Sequence, residues 1–299
     1  ILRNRDVGRH VRPGGQDTKP GDTVLRRGDS VHAGTVAVLA ALGHERVFVH
    51  RSPRVALVTT GDELRGPDRY DDVRAGAGVP ESNGPMLAAA VVAAGGLPLP
   101  SGIVPDDDKA LRDAVAAAAD ADVLVTVGGA SMGEADLVKR VLDGEGFEQD
   151  FWRVNMRPGS PFSFGRLPRG DARQPVFGLP GNPASAFVTF EIFVRPFLRA
   201  LAGHRTVHRL RVRGRAAQEF RGGRRTLFVR VTLDAAVAPP RVHGTGPQGS
   251  GLVRSLATAQ GLAVIPAMAT LSPGDDVDVL LLDAAVSSAA SSPLEGIET

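Results

Sequence analysis

The sequence predicts a multi-domain α/β protein: a three-layer α/β domain with a mostly parallel sheet, followed by a small all-β, barrel-like C-terminal domain. Three observations predict it. Between Arg54 and Leu201, short apolar runs alternate with helical stretches, the pattern of parallel strands covered by helices on both faces. After Gly203 that alternation stops, and β-rich runs separated by turns such as RGG and SPGD replace it, which reads as a partly closed barrel or sandwich. The chain has 299 residues, 42% hydrophobic and 23% charged, enough for more than one core.

The elements follow in order. Residues 1 to about 30 are rich in Gly, Asp and Arg and read as turns with short strands. Ser30 precedes VHAGTVAVLAALG, a predicted helix with Gly43 as its stop. Val47 to Val49 is a candidate short strand. RVALVTT (54–60) is a buried-strand run. SNGPMLAAAVVAAGG (82–96) reads as a helix capped by Ser82 or Asn83 and ended by Gly95-Gly96. A strand over LPLPSGIV (97–104) follows, then a helix over DDDKALRDAVAAAA (106–119) with acids at its positive end. DVLVTV (122–127) and QPVFGL (174–179) read as strands, EADLVKRVLDGEG (134–146) and ASAFVTFEIFVRPFLRAL (184–201) as helices. RLRVRGRA, RTLFVRVTL, GLAVIP and DDVDVLLL are the strands of the β module. The expected domains are 1–50, the remnant of an N-terminal region with a linking helix; 51–202, the α/β domain; 203–285, the β domain; and 286–299, a mobile tail. The opening ILRNRDVGRH has no initiating Met, so an N-terminal portion is expected to be missing.

Composition excludes several function classes. Net charge is +2 and the arginines are spread out, with one Trp and one Tyr in the chain. That leaves no basic stripe with stacking aromatics, so no nucleic-acid partner is expected. With no cysteine there is no disulfide, thiolate metal ligand or cysteine nucleophile. Apolar runs fall short of a membrane span and no secretory pattern appears, so a cytoplasmic protein without a membrane partner is expected. The seven histidines lack metal-ligand spacing, and no G-x-S-x-G elbow is present.

Three predicted parallel strands end in glycine turns: VTT-GDEL (58–64), VTV-GGASMGEAD (125–136) and FGL-PGNPAS (177–185). In an open α/β sheet the ligand crevice lies beyond the carboxyl ends of the strands. In the third turn, Pro180-Gly181 bends the chain, Asn182 fits an N-cap and Pro183 fits the first helical position. Free amides near Ala184 and Ser185, with the Ser185 hydroxyl, would then form an anion site. A well-made junction without a ligand explains the spacing equally well. In the second turn, Gly128 and Gly129 permit close backbone approach, Ser131 adds a hydroxyl, and Glu134 and Asp136 add carboxylates. Amides beside carboxylates suit a phosphate with Mg²⁺ between them; helix capping is the plainer account. GDEL adds Asp62 and Glu63, and PDDDKAL adds Asp106, Asp107 and Asp108. In MRPGSPFSFG, Arg157 and Ser160 flank Pro158-Gly159, and Arg157 is a candidate oxyanion clamp, a solvated loop arginine being the plainer account.

These residues carry a resemblance. TTGDEL, SNGPML, VGGASMGEADLVK, MRPGSPFSFG and GLPGNPASAFVTFEIFVRPFL, in this order, resemble the molybdopterin molybdenumtransferases, whose domain the scaffold protein gephyrin also carries. The likeness extends upstream through GRHVRPGGQDTKPGDTVLRRG and downstream through GTGPQGSGLVRSLATAQGLAVIP. It implies an enzyme of molybdenum cofactor biosynthesis that binds molybdate and adenylylated molybdopterin, cleaves the phosphoanhydride with Mg²⁺ and releases AMP. It implies a homodimer with a cleft shared between subunits, and the molybdopterin adenylyltransferase as a candidate partner. Asp17, Glu63, Asp107 and Asp136 match its acidic positions, the last three as metal ligands. Gly128, Gly129, Ser131, Pro180, Gly181, Asn182 and Pro183 match its substrate-binding turns. Arg157, Ser160 and Ser185 match positions suited to molybdate, a tetrahedral dianion.

The sequence departs from the family in places. Ser160 stands where a Lys is frequent, Gln16 precedes Asp17 where a Glu is usual, and Val127 replaces a small hydroxyl residue. A FDNSAMDGYA-like N-terminal segment is absent. Two other readings compete: the related molybdopterin adenylyltransferase, and a catalytically degenerate, pterin-binding scaffold. The first would not need the C-terminal β module, and its loop reads nearer TGGTG than GGASMGEAD. Retention of Glu63, Asp107 and Asp136 together weighs against the second.

Overall fold

The computed structural model describes residues 11–128 and 137–282. They form two units, one up to Val49 together with Gly203–Arg205, the other His50–Ala202 and the chain from Thr206 onward.

In the first unit, turns at 13–16, 19–22 and 26–29 are closed by Gln16, Asp22 and Asp29 amides on the Pro13, Lys19 and Arg26 carbonyls. No strand forms at 11–30 or 47–49, contrary to the sequence reading. Val47 to Val49 are exposed and have no partner strand among the described residues, and an isolated strand leaves its backbone groups unpaired. The predicted helix forms as α1 (Ala33–Ala41). Gly43 at φ +79° ends it, its amide donating to the Ala40 carbonyl.

In the second unit the α/β domain begins with β1 (Arg54–Thr60), the short β2 (Leu64–Arg65), α2 (Tyr70–Arg74) and β3 (Val79–Pro80). It continues with α3 (Asn83–Ala93), β4 (Leu97–Val104), α4 (Asp108–Ala117), β5 (Val123–Val127) and α5 (Leu137–Gly144). Then come β6 (Glu148–Trp152), β7 (Met156–Arg157), β8 (Ser163–Arg169), β9 (Ala172–Leu179) and the long helix α6 (Pro183–Thr189), which passes through one π turn into α7 (Arg195–Leu201). The sheet order is β4-β1-β5-β9-β8-β6. The first four strands are parallel, as the sequence predicts, and β8 and β6 extend the sheet antiparallel. The sequence reading assigned no strand to β6 or β8. Both lie at one side of the sheet, and charged residues on their open faces break the apolar run that marks a central strand.

Successive residues of the central strands serve opposite layers, as the period of two requires. Val55, Leu57, Val123 and Val125 pack under α3, α6 and α7 with Leu87, Val91, Phe190 and Leu198. Ala56, Val58 and Leu124 pack on the other face with Leu111, Val115, Val138 and Val141 of α4 and α5. The small-residue helix α3 thereby lies close to the sheet, and Gly84 leaves room beside the Thr59 hydroxyl.

A surface ion pair and a backbone hydrogen bond fasten the start of β1. The Asp122 carboxylate accepts both outer guanidinium nitrogens of Arg51 at 2.5 Å and the Arg54 amide at 2.7 Å. Arg51 and the Arg54 amide hold this carboxyl below the usual carboxylate range, against the opposing pull of burial. Its folded pKa is thus lower than its unfolded one, so its stabilisation is complete above about pH 4 and is lost as pH falls through the folded value. Arg51 is largely exposed, which discounts the ion pair. Asp122→Ala is expected to cost about 0.5–1.5 kcal/mol at pH 7, the net worth of the hydrogen bond that its carboxylate accepts from the Arg54 amide. Urea denaturation at pH 7 and pH 3 checks this: the difference between variant and parent should shrink at the lower pH.

The C-terminal module comprises β10 (Arg211–Ala216), β11 (Phe220–Arg221), β12 (Thr226–Asp234), β13 (Arg241–Gly244), α8 (Arg254–Thr258), β14 (Gly261–Ile265), β15 (Thr270–Leu271) and β16 (Asp276–Leu281). The order β13-β10-β16-β14-β12 closes on itself through a β12–β13 pairing, which makes a five-stranded barrel filled by Val231, Val242, Ile265 and Val279. Closure pairs the far end of β12, Val231–Asp234, with β13 and leaves its first residues open to another strand. β7, inserted from the α/β domain, pairs with β12, Met156 opposite Thr226 and Arg157 opposite Leu227. None of the described helices is long and apolar enough to cross a membrane.

Candidate functional site

The carboxyl ends of β1, β5 and β9 lie side by side, and their turns are shaped by close packing. Gly128 has φ +93°, and a Cβ there would sit 2.9 Å from the Thr60 carbonyl oxygen. Glycine is therefore required here for backbone contact between β1 and β5, before any ligand is considered. Gly181 lies against Gly128. Asn83, at the start of α3 and buried, donates from Nδ2 to the Gly181 carbonyl at 2.7 Å. Its Oδ1 is buried without a partner among the described residues. The sequence reading took Asn83 as a candidate cap; the structure makes it the strut of the Pro180-Gly181 turn. Gly84 is capped instead by the Glu81 carboxylate.

The junction at Pro180–Ser185 forms largely as predicted. Asn182 occupies the N-cap with extended backbone and Pro183 the first turn of α6. Two details differ. The Asn182 side chain makes no capping bond. The Ala184 amide, expected to be free, donates to the Ser250 carbonyl at 2.9 Å. The helix start is thereby stitched to the barrel, and the anion site cannot use that amide.

A cleft of about 870 Å³ opens between the two domains of the second unit. From the α/β domain it takes Arg157 to Pro161, Asn182 and Ser185; from the barrel, the loops Arg221–Arg225 and Gln248–Ser250. The structure thus brings Arg157, Ser160, Asn182 and Ser185 together, as the motifs imply. The backbone of Arg157 is placed by strand pairing opposite Leu227, and its side chain is exposed on the cleft. Gly159, at φ +98°, is wedged against the Thr189 methyl group, and a Cβ would collide with it. Among the described residues Arg157, Arg224 and Arg225 take part in no ion pair, whereas Arg221 pairs with Glu219. Three guanidinium groups without ion pairs on one cleft have the charge and donor geometry that would complement an anion rich in oxygen.

The sequence reading missed Arg221, Arg224, Arg225, Gln248 and Ser250 as site residues. The available signal is RGGRR, three arginines around a glycine pair just before a predicted strand, which in a chain of scattered arginines reads as dispersed charge.

The acids form a separate rim. Asp62 and Asp106 exchange backbone-to-carboxylate hydrogen bonds of 3.0 and 3.3 Å across the ends of β1 and β4. Glu63 is exposed, its carboxylate folded back over Gly61. Asp107 caps α4, accepting the Ala110 amide at 2.8 Å. These donors are all oxygen and open to water, which fits Mg²⁺ held by one or two carboxylates and a substrate phosphate. Among the described residues no three acids or histidines cluster closely enough to hold an ion by themselves. Asp17 follows the turn at 13–16 in the first unit and is exposed. Gly129, Ser131, Glu134 and Asp136 lie outside the described residues.

Fold and cleft define a class: an open α/β domain joined to a closed barrel, with an arginine-lined cleft between them. The family described as "Probable molybdopterin binding domain" matches residues 56–200, and "MoeA C-terminal region (domain IV)" matches 213–282. Molybdopterin molybdenumtransferase 1 of Mycobacterium tuberculosis is 35% identical, over 94% of this chain and 67% of that protein. The molybdopterin molybdenumtransferase of a Nostoc species is also 35% identical, over 94% of this chain. This chain spans 65% of the Nostoc protein's length. The crystal structure of the molybdopterin biosynthesis moeA protein of Pyrococcus horikoshii matches with a TM-score of 0.73 and 26% identity, over 91% of this chain and 66% of that one. The chain belongs to the molybdopterin molybdenumtransferase family.

Proposed function

We propose that the protein inserts molybdate into adenylylated molybdopterin with Mg²⁺-dependent release of AMP, giving the molybdenum cofactor. The observation that carries this reading is the cleft that gathers Arg157, Ser160 and Ser185 with Arg224, Arg225 and Ser250. Molybdate is a tetrahedral dianion, and unpaired guanidinium groups with hydroxyl donors complement both its charge and its shape. The turns at Gly128-Gly129, Ser131 and Pro180–Pro183 would bind the pterin phosphate. Glu63, Asp107 and Asp136 would hold Mg²⁺, with Asp17 as a further catalytic acid. Bound there, Mg²⁺ would neutralise charge on the phosphoanhydride oxygens. The anhydride P–O bond breaks, water or a molybdate oxygen supplies the replacing oxygen, and AMP leaves. The substrate's own dithiolene supplies the sulfurs, in keeping with a chain that has no cysteine. The working form is a cytoplasmic homodimer, supplied by the adenylyltransferase that makes its substrate.

The test uses the complete open reading frame with adenylylated molybdopterin, molybdate and Mg²⁺. AMP release that needs both inorganic components supports the reading. Pterin binding without AMP release, whatever the molybdate concentration, would favour a degenerate scaffold and point first to Ser160. Arg157→Ala is expected to raise the molybdate concentration for half-maximal release about 10–100-fold, the loss of one charge-assisted hydrogen bond of about 1.5–3 kcal/mol. Pterin affinity should stay within a few-fold. An unchanged molybdate dependence would remove Arg157 from the site.

A further inference from the structure

Arg230 is the largest fully buried side chain among the described residues, and it has no carboxylate partner there. It sits in the middle of β12, two strand positions beyond Phe228, which lines the cleft. A buried charge is costly unless it is paired or fully hydrogen-bonded. Arg230 is neither. Its Nε donates to the Ser255 hydroxyl at 2.7 Å and one outer nitrogen to the Gly249 carbonyl at 3.1 Å, while Nη1 has no partner among the described residues. Burial lowers the guanidinium's pKa without any carboxylate to oppose it.

All but one of these contacts grip one segment. The Arg230 amide donates to Gln248 Oε1 at 2.9 Å, and its carbonyl accepts Gln248 Nε2 at 3.1 Å and the Thr245 amide at 3.0 Å. Backbone and side chain of one residue therefore hold Thr245 to Gly249 from two sides. The next residue, Ser250, lines the cleft and takes the Ala184 amide on its carbonyl. A neutral side chain could hold this loop at smaller desolvation cost, so the retained charge needs a second reason. That reason is available in the adjoining cleft, where a dianion would find a buried barrel cation that no carboxylate among the described residues compensates.

We propose that Arg230 is a positioning residue for oxyanion binding: it fixes the Gln248–Ser250 wall of the cleft and keeps that wall electrostatically unsatisfied until an anion arrives. This rests on the molybdate reading given above. It predicts discrimination by charge, dianions being favoured over monoanions of the same shape.

The experiment compares Arg230→Lys and Arg230→Met with the parent, each as the complete protein. Molybdate and perchlorate binding are measured by calorimetry, and AMP release by its separate dependences on molybdate and on pterin. Arg230→Met should weaken molybdate binding at least about tenfold and erase the preference over perchlorate, while the KM for pterin stays within a few-fold. Arg230→Lys, which keeps the charge and loses the fork, should recover the dianion preference. Equal losses in both KM values and in thermal midpoint, without recovery by lysine, would make Arg230 purely structural and overturn the proposal. If Arg230→Met does not fold, Arg230→Lys and Ser255→Ala decide: unchanged molybdate affinity and preference in both would also overturn it. A parent that binds molybdate but releases no AMP would defeat the activity reading and leave the binding test of Arg230 intact. A parent that turns over normally, with Arg230→Met unaltered, would defeat only Arg230's role.

Discussion

Glu63→Gln and Asp136→Asn are each expected to lower molybdate-dependent AMP release by about 10²–10³-fold, the scale on which removing one electrostatic stabiliser acts. Adenylylated molybdopterin should still bind. Both substitutions keep side-chain size and remove one negative charge, so packing is spared. Glu63 follows β1 and Asp136 follows β5 in sequence, and these strands pair in parallel with Thr59 opposite Val127. Chain leaving adjacent parallel strands emerges on the same edge of the sheet, where an α/β fold binds its ligands. Neither variant should alter molybdate binding measured alone, because the arginine cleft takes different residues. Equilibrium dialysis with Mg²⁺ and labelled substrate separates binding from turnover. Substrate binding lost together with AMP release would mean that these acids shape the pocket and are not metal ligands. Both properties retained would remove them from the site.

That argument uses what the sequence makes legible and what it hides. β1, β5 and β9 are buried on both faces, so their runs are almost wholly apolar and stand out in VALVTT, VLVTV and VFGL. The Asn182-Pro183 junction is legible because both residues act through local backbone preferences. β6 and β8 are not, because β6 is almost wholly exposed and Arg166, Pro168 and Arg169 interrupt the pattern of β8. The cleft is least legible. Arg157 and Arg225 come to line one cleft through long-range contacts such as the pairing of two residues of β7 with β12, which nothing local in the chain links. Arg230 gave no signal at all: inside RTLFVRVTL it reads as the outward member of an alternating strand, yet it is fully buried. The free Ala184 amide failed for the same reason, since the Ser250 carbonyl that occupies it comes from the barrel.

Phe162→Ala is expected to destabilise the protein by about 3–5 kcal/mol, the range for deleting a fully buried aromatic ring. Phe162 has no exposed surface. Its ring stacks on Phe193 at 4.5 Å between centroids, inside the π turn of the long helix, and touches Phe151 and Phe177 at 5.9 and 6.2 Å. The cluster therefore joins β6, β9 and the helix that carries Ser185. Its backbone carbonyl also accepts the Arg153 amide, which closes the chain around β7. Aromatic pairs add about 0.5–1.5 kcal/mol beyond their buried area, so Phe162→Ala and Phe193→Ala should be non-additive by that amount in a double-mutant cycle. Phe162→Leu fills more of the space and should cost less than half as much as the alanine variant. Denaturant titration gives the free energies. Phe162 directly follows Pro161, the last residue of the cleft segment that holds Arg157 and Ser160. A loss below about 1 kcal/mol for Phe162→Ala would mean that the site collapses without strain and that the ring does not anchor that segment. A large loss with molybdate affinity unchanged in the surviving folded protein would mean that the anchor stabilises the fold and that strand pairing with β12 is enough to place Arg157.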